Sequence, residues 1–300
     1  MNNLKYLLIL SLGCFHCTWG QSTLNYGSKK IVWRDEFNHN GLPDSTKWGY
    51  EVGFVRDIEK EFYTNKRLEN AKVENGNLVI TGLKENYPNP MFLKYRKNYS
   101  SGDYPKEYKK TPIDSLPNWV RLRYDSLAYY TSASLITLNK ASWKYGIIEI
   151  RAKLPKGRGV WPAIWMIGVN RPKVKWPNCG EIDIVEFVGK DSSHIFSNIH
   201  YTDTLSKVHK SSSKKLAVDK PYNDFHTYSI EWDSSVISFY FDNIKFHTFD
   251  ISQANTSKFN PFREPFSLLI NLALGGKFGG PIDDKVLPQQ FLIDYVRVYQ

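Results

Sequence analysis

Three carboxylic acids lie close together in one short segment, and they are the residues best suited to chemistry. Glu181, Asp183 and Glu186 belong to the run Trp176-Pro-Asn-Cys-Gly-Glu-Ile-Asp-Ile-Val-Glu. Side chains alternate along a β-strand, so Glu181 and Asp183 would share one face, whereas Glu186 would point away. A β-bulge at Ile184-Val185 would add one residue and return Glu186 to the acidic face.

Like charges on one face repel one another, so stability alone would not favour this arrangement. A glycosidase needs it, because one ionised and one protonated carboxyl group must flank the bond, and proximity separates their pKa values. We assign Glu181 as the nucleophile and Glu186 as general acid and then base. Asp183 would orient Glu181 and adjust the pKa of the proton that the acids share. A retaining mechanism would need the two Glu carboxyls about 5–5.5 Å apart.

The same acidic pattern could also be an exposed strand face or a Ca²⁺ site. Its flank argues against both, because Trp161, Trp165 and Trp176 all precede it closely in the sequence. Flat rings beside carboxylates are typical of sugar stacking next to acid/base chemistry. Cys179 precedes Glu181 by two residues, but no Cys-His signature surrounds it, so we expect a buried structural cysteine.

The elements that must position these groups are β-strands. Apolar and polar residues alternate from Ile148 to Leu154, from Tyr228 to Trp232 and from Ile237 to Phe241, where Asp242-Asn243 then offers a turn. Phe266 to Leu274 is apolar at nearly every position, which predicts a central strand covered on both faces. Many short strands without long amphipathic helices predict an all-β, antiparallel sandwich or barrel.

One stretch, 85–126, interrupts this rhythm with prolines, basic residues and aromatic residues but no periodicity. Its aromatic content argues against disorder. We therefore expect a packed surface insertion that could form a wall of the cleft. Without an internal repeat or a linker, residues 21–300 are predicted to be a single domain.

The first residues have the pattern of an export signal. Lys5 precedes the apolar stretch from Tyr6 to Phe15, and Thr18-Trp19-Gly20 is a plausible cleavage site before Gln21. A signal peptide at 1–20 would send the chain to the periplasm or outside the cell. The alternative is a lipid anchor at Cys14. No later segment is apolar enough to cross a membrane.

Composition narrows the classes of partner. The net charge is +10, but the basic residues are spread along the chain and do not form the runs that mark nucleic-acid or membrane arms. Only one of the three cysteines, Cys179, lies beyond the signal, so an internal disulfide is not expected. We expect a polysaccharide substrate, no nucleic acid, no cofactor for catalysis and a monomer.

Taken together, these motifs resemble glycoside hydrolase family 16, in the laminarinase-like branch of endo-β-1,3-glucanases. Besides the acidic strand, the matching segments are Trp33–Phe37, Lys47-Trp48, Glu59–Thr64, Gly157–Met166, Asn271–Gly276 and Asp294–Tyr299. The resemblance implies a jelly-roll sandwich with an open concave cleft, endo-acting cleavage and retention of the anomeric configuration.

The resemblance also implies roles for individual residues. Glu181, Asp183 and Glu186 match the catalytic trio of the family. The positions matched to substrate binding are Trp161, Trp165, Trp176, His200, Asn271, Glu59 and Glu61. Some members carry a structural Ca²⁺, whose candidate ligands here are Glu36, the Gly76 carbonyl and Asp294, although both carboxylates could equally be surface charges.

Three departures from the family pattern leave the substrate open. Ile58, Glu61 and Phe62 stand where the early cleft motif has Asn, Gln and one Tyr. Phe278 replaces a Trp in the glycine-rich loop, and 85–126 is inserted. Because the insertion is basic and aromatic, the alternative substrate is a galactan, either sulfated or neutral, such as agar, porphyran or carrageenan. A non-catalytic glucan-binding module is a further alternative, but such proteins typically lose the catalytic glutamates.

Overall fold

A computed structural model describes residues 22–56, 58–97, 111–203, 206–256 and 259–300, with the backbone alone at 118 and 119. The predicted signal peptide at 1–20 and the alternative lipid anchor at Cys14 lie outside the described residues. Within the described ranges, none of the helices combines the length and the apolar character needed to cross a membrane.

The described chain is built mainly from short strands, as the alternation of apolar residues predicts. In chain order they are β1 (Ile31–Asp35), β2 (Gly49–Glu51), β3 (Phe62–Tyr63), β4 (Ala71–Glu74), β5 (Asn77–Pro88), β6 (Leu127–Ser132), β7 (Ser134–Ile136), β8 (Gly146–Lys153), β9 (Val160–Gly168), β10 (Glu181–Glu186), β11 (His194–Thr202), β12 (His209–Ala217), β13 (His226–Trp232), β14 (Val236–Phe241), β15 (Ile244–Asp250), β16 (Phe266–Leu274) and β17 (Gln289–Tyr299).

The helices are short. They are α1 (Phe92–Lys97), α2 (Asn118–Arg121), α3 (Arg171–Val174) and α4 (Gly276–Gly279). Single 3₁₀ turns occur at Ile113–Ser115, Leu122–Tyr124, Ile251–Ala254, Pro261–Arg263 and Asp284–Val286.

The strands form two sheets. The seven-stranded sheet has the order β12-β11-β10-β9-β16-β7-β2. The ten-stranded sheet has the order β15-β14-β13-β8-β17-β5-β6-β3, with β1 added beside β17 and β4 beside β5. Among the described residues every pairing between strands is antiparallel except that of β3 with β6. The seven-stranded sheet is open at β12 and β2, so the chain forms a sandwich rather than a closed barrel.

One large buried cluster holds the two sheets together. It joins Ile148 and Ile150 of the ten-stranded sheet to Ile164, Met166 and Ile270 of the seven-stranded sheet. Burial of such side chains from water supplies most of the stabilisation of a sandwich. All of β16 is buried, which confirms the prediction of a central strand covered on both faces.

The predicted turn at Asp242-Asn243 is present between β14 and β15. Both residues have left-handed backbones, with φ of 46° and 66°, and short polar side chains tolerate that conformation better than most. This turn determines how β14 and β15 pair at the edge of the ten-stranded sheet.

The described parts of the 85–126 insertion pack on the body of the sandwich. Leu116, Val120 and Tyr124 form a small buried cluster with Tyr95 of α1. The Tyr95 hydroxyl accepts a hydrogen bond of 3.2 Å from the amide of Phe54. The insertion therefore supports the segment that leads from β2 toward β3.

Candidate active site

A β-bulge in β10 brings the third acid onto the face of the other two. Asp183 pairs with Trp165 of β9, but Val185 pairs with Ile164, so the register shifts between them. The pairing with β11 shifts in the same place. Ile184 and Val185 are both buried in the core, which is why this strand accommodates two adjacent apolar residues. The predicted bulge is confirmed.

The outer face of the seven-stranded sheet carries a cleft of about 260 Å³. Its lining residues are Arg56, Glu59, Trp161, Ala163, Trp165, Ile167, Arg171, Trp176, Glu181, Asp183, Glu186 and Asn271. The structure thus gathers the acidic trio, the three predicted tryptophans, Glu59 and Asn271 around one depression. None of the described insertion residues lines it.

Two donors hold the Glu186 carboxylate in place. Trp161 Nε1 donates to Oε1 at 3.0 Å, and Asn198 Nδ2 donates to Oε2 at 2.6 Å. The Asn198 side chain is itself held, because its Oδ1 accepts from the Ser213 hydroxyl. Trp161 therefore serves both as a cleft wall and as a hydrogen-bond donor to an acid.

Glu181 lies in a different environment, where other charges oppose its ionisation. Burial raises the pKa of Glu181 to about 8, and the neighbouring Asp183 charge adds to the rise, while His200 and Arg56 oppose it. His200 Nε2 lies 3.3 Å from Asp183 Oδ2 and 3.8 Å from Glu181 Oε1. Acids this close titrate together, so the cluster retains a proton near neutral pH.

Glu181, Asp183 and His200 also have the spacing of metal ligands. One donor atom from each lies within 4.8 Å of the other two. Ca²⁺ prefers an all-oxygen shell, and a histidine nitrogen does not suit it. The contacts of His200 with the two carboxylates, at 3.3 Å and 3.8 Å, account for the grouping of these three donors.

The floor of the cleft is a chain of buried hydrogen bonds. Trp165 Nε1 donates to Asn271 Oδ1 at 2.8 Å, and Asn271 Nδ2 donates to the Tyr63 hydroxyl at 3.0 Å. Because Trp165 is 6% exposed, only a small part of its ring is accessible to a ligand. Trp176, by contrast, is 44% exposed and free to stack on a sugar ring.

Glu61 does not reach the cleft, although it was predicted to bind substrate. It is completely buried, and its Oε2 accepts the Leu274 amide at 2.7 Å. Burial raises the pKa of Glu61 to about 7, despite that hydrogen bond. Glu59 and Glu61 precede β3 and follow Ile58, whose backbone is left-handed (φ 54°), so they do not share one face as they would in a regular strand. Glu59 lines the cleft, whereas Glu61 supports the end of β16.

The family assignment follows from comparison with known proteins. The chain matches the model for glycosyl hydrolases family 16 over residues 60–297, a range that includes the bulged strand and the cleft tryptophans. The chain belongs to glycosyl hydrolase family 16. It is a glycoside hydrolase, as the sequence predicts.

Relatives in family 16 act on several glycans. A beta-glucanase from Rhodothermus marinus is 33% identical over 310 residues, which cover 100% of this chain and 95% of that protein. A keratan-sulfate endo-1,4-beta-galactosidase from Sphingobacterium multivorum is 31% identical over 275 residues, which cover 90% of this chain and 55% of that protein.

One similar solved structure comes from a study of endo-acting O-glycanases that prominent members of the human gut microbiota express to initiate mucin breakdown. Its superposition on this chain has a TM-score of 0.77. It is 34% identical to this chain, and the similarity covers 93% of each chain. The antiparallel jelly-roll sandwich implied by the resemblance is thereby confirmed.

The residues proposed for the structural calcium of some family 16 members bind arginines here. Glu36 accepts hydrogen bonds of 2.8 Å from Nε and from Nη2 of Arg297. Asp294 accepts one of 2.5 Å from Arg151. Gly76 lies in the turn between β4 and β5. Because each carboxylate already neutralises a guanidinium, this donor set does not fit Ca²⁺, and calcium enters no step of the chemistry.

Cys179 is a buried, free cysteine. Burial raises the pKa of its thiol to about 11, so little reactive thiolate forms at neutral pH. The expected burial is confirmed, and Cys179 does not line the family 16 cleft.

Among the residues that the sequence-based prediction lacks, Arg56 lines the family 16 cleft, whereas Asn198 and His209 contact Glu186 and His200 beside it. Arg56 is half-buried beside Glu51 and Glu59 and lies 5.1 Å from the centre of the Trp165 ring. Asn198 precedes His200 by two residues, so strand alternation could have found it. His209 bonds to His200 from the next strand, and only the pairing of β11 with β12 reveals it.

Proposed function

We propose that this chain is a secreted, endo-acting, retaining β-glycosidase that uses Glu181 as nucleophile and Glu186 as acid/base. The observation that carries the proposal is the bulge, because it places Glu181, Asp183 and Glu186 together on the cleft face. Two carboxyl groups that flank the scissile bond, one as nucleophile and one as acid/base, are the machinery of retaining hydrolysis.

The reaction would proceed in two displacements. In the first, Glu181 attacks the anomeric carbon and forms a covalent glycosyl-enzyme, while the glycosidic bond breaks and its oxygen leaves on the other sugar fragment with the proton that Glu186 donates. In the second, Glu186 removes a proton from water, the water oxygen attacks the same carbon and Glu181 leaves as carboxylate. Glu181 must be ionised at the start, so substrate binding has to shift the shared proton of the cluster away from it.

The substrate that best fits is a β-1,3-glucan of the laminarin type. The full-length similarity to a beta-glucanase supports it, as does the pattern from Trp176 to Gly189. The test is release of reducing sugar from laminarin, with proton NMR of the first products to follow the anomer. The β-anomer should form first, and initial release of the α-anomer would exclude retention.

A galactan is the second candidate, and two observations favour it. One relative is a keratan-sulfate endo-1,4-beta-galactosidase. In addition, Arg171 lines the cleft, and Lys190 Nζ lies 5.5 Å from the centre of the Phe278 ring beside Trp161. Within the described residues, neither cation has a carboxylate in ion-pair distance, so both are available to an anionic sugar.

A screen of laminarin, lichenan, agarose, carrageenans and keratan sulfate separates the candidates. Activity on laminarin alone supports the glucanase. Activity on a sulfated glycan that falls in Arg171→Ala and Lys190→Ala supports the second candidate. A non-catalytic glucan-binding module would bind without cleaving any of them, which the retained acidic trio argues against.

Export and oligomeric state are part of the proposal. Mass spectrometry of the mature N-terminus should find Gln21 after signal cleavage, whereas a lipid-modified cysteine at position 14 would indicate an anchor. Light scattering should give the mass of a monomer.

A further inference from the structure

Two histidines form a chain that leads from the surface to the acidic cluster. His200 on β11 pairs with Glu181 of β10, and His209 lies on the neighbouring edge strand β12. His200 Nδ1 is 2.9 Å from His209 Nε2. At its other nitrogen, His200 Nε2 is 3.3 Å from Asp183 Oδ2. Each imidazole nitrogen of His200 is therefore engaged.

Trp176 packs against both rings and confines them. Its ring centre lies 4.7 Å from that of His209 and 6.2 Å from that of His200. The same tryptophan lines the cleft. The histidine pair is consequently attached to the catalytic strand on one side and to a sugar-stacking residue on the other.

We propose that His209 is a positioning residue, which holds His200 so that the Nε2–H of His200 is directed at Asp183. The proposal rests on the glycosidase function proposed above. In this arrangement Asp183 accepts a hydrogen bond from His200, and its carboxylate is fixed beside the nucleophile Glu181.

The reason lies in the two nitrogens of the imidazole ring. A neutral imidazole has one N–H and one acceptor nitrogen, and the partner of one nitrogen determines the state of the other. Partial desolvation and the neighbouring His200 lower the pKa of His209, which favours its neutral form. It can then donate its Nε2–H to His200 Nδ1, which leaves the proton of His200 on Nε2. Without His209, the His200 ring could turn over.

The test compares two substitutions of His209. His209→Phe retains a ring against Trp176 but removes the nitrogen, and we expect kcat to fall roughly 10-fold with KM changed less than about two-fold, because misplaced reacting groups slow the chemical step. His209→Gln restores a group that can bond to His200 Nδ1 and should recover most of kcat. His226→Phe is the matched control, since His226 bonds to Asp242 on the ten-stranded sheet, away from the cleft.

Several results would overturn the proposal. Unchanged kcat in His209→Phe would do so, as would equal losses in the Phe and Gln variants. A rise in KM alone would make His209 a sugar-contact residue. If His209→Phe does not fold, nitrogen-15 NMR of the unmodified protein tests the proposal instead. A His200 Nε2 that carries no proton at neutral pH would contradict the proposed arrangement. The NMR measurement tests the histidine arrangement even if the unmodified protein cleaves no β-glycan. Failure to cleave any β-glycan would refute the proposed function, not the histidine arrangement.

Discussion

Two glutamates, one in each sheet, are buried in opposite ways. Glu149 on β8 is 3% exposed, and its carboxylate accepts hydrogen bonds from the hydroxyls of Tyr26 and Tyr295. Glu181 on β10 faces Asp183 instead, and burial raises its pKa to about 8. Hydrogen-bond donors stabilise a buried carboxylate, whereas a second carboxylate destabilises it. The comparison indicates that the ten-stranded sheet is built for stability and the cleft for reactivity.

The largest effect should come from Glu181→Gln. Loss of the nucleophile should lower kcat by at least about 10⁴-fold, since a nucleophile contributes to every turnover. Binding of the polysaccharide, measured by affinity electrophoresis, should persist because the stacking rings are untouched. Residual turnover within 10-fold of the unmodified protein would contradict the assigned role.

The same substitution should reveal a dependence of stability on pH. The folded-state pKa of Glu181, about 8, lies above its ordinary value of 4.5, so the native state binds this proton more tightly than the unfolded state. The stabilisation is complete below pH 4.5 and is lost as pH rises toward 8. Glu181→Gln cannot ionise, so its melting temperature relative to the unmodified protein should increase between pH 5 and pH 8. A constant difference in thermal melts would argue against the shift.

In the ten-stranded sheet, Glu149→Ala should have the reverse phenotype. The hydroxyls of Tyr26 and Tyr295 lose their acceptor, which should lower the free energy of unfolding by about 1–3 kcal/mol. Because Glu149 is remote from the cleft face, kcat should be unchanged. Urea denaturation and initial-rate kinetics measure the two quantities, and a drop in kcat without loss of stability would reverse the comparison.

Within the cleft, a smaller loss of kcat than that of Glu181→Gln should come from Asn198→Ala, which removes one of the two donors to Glu186. We expect kcat to fall roughly 10-fold, because a hydrogen bond to a charged group contributes about 1.5 kcal/mol or more. Ser238→Ala, a buried polar residue of the ten-stranded sheet, is a suitable control. Equal effects of the two substitutions would show that the donor to Glu186 has no special role.

The local sequence determined much of this architecture. Alternation of apolar residues located β8, β13 and β14, and the unbroken apolar run located β16. The adjacent Ile184 and Val185 were enough to predict the bulge, because an extra residue in a strand is the simplest way to keep alternation on both sides of it. These features depend on neighbours in the chain, so they can be inferred without the fold.

Tertiary structure alone decided which polar groups meet. Glu61 was expected at the cleft but supports β16, and Glu36 and Asp294 were proposed for calcium but bind Arg297 and Arg151. The bond from His209 to His200 likewise depends on the register between two strands. Sequence spacing predicts the face on which a side chain lies, but hydrogen bonds and ion pairs form between strands far apart in the chain, so their partners are determined only when the sheets assemble.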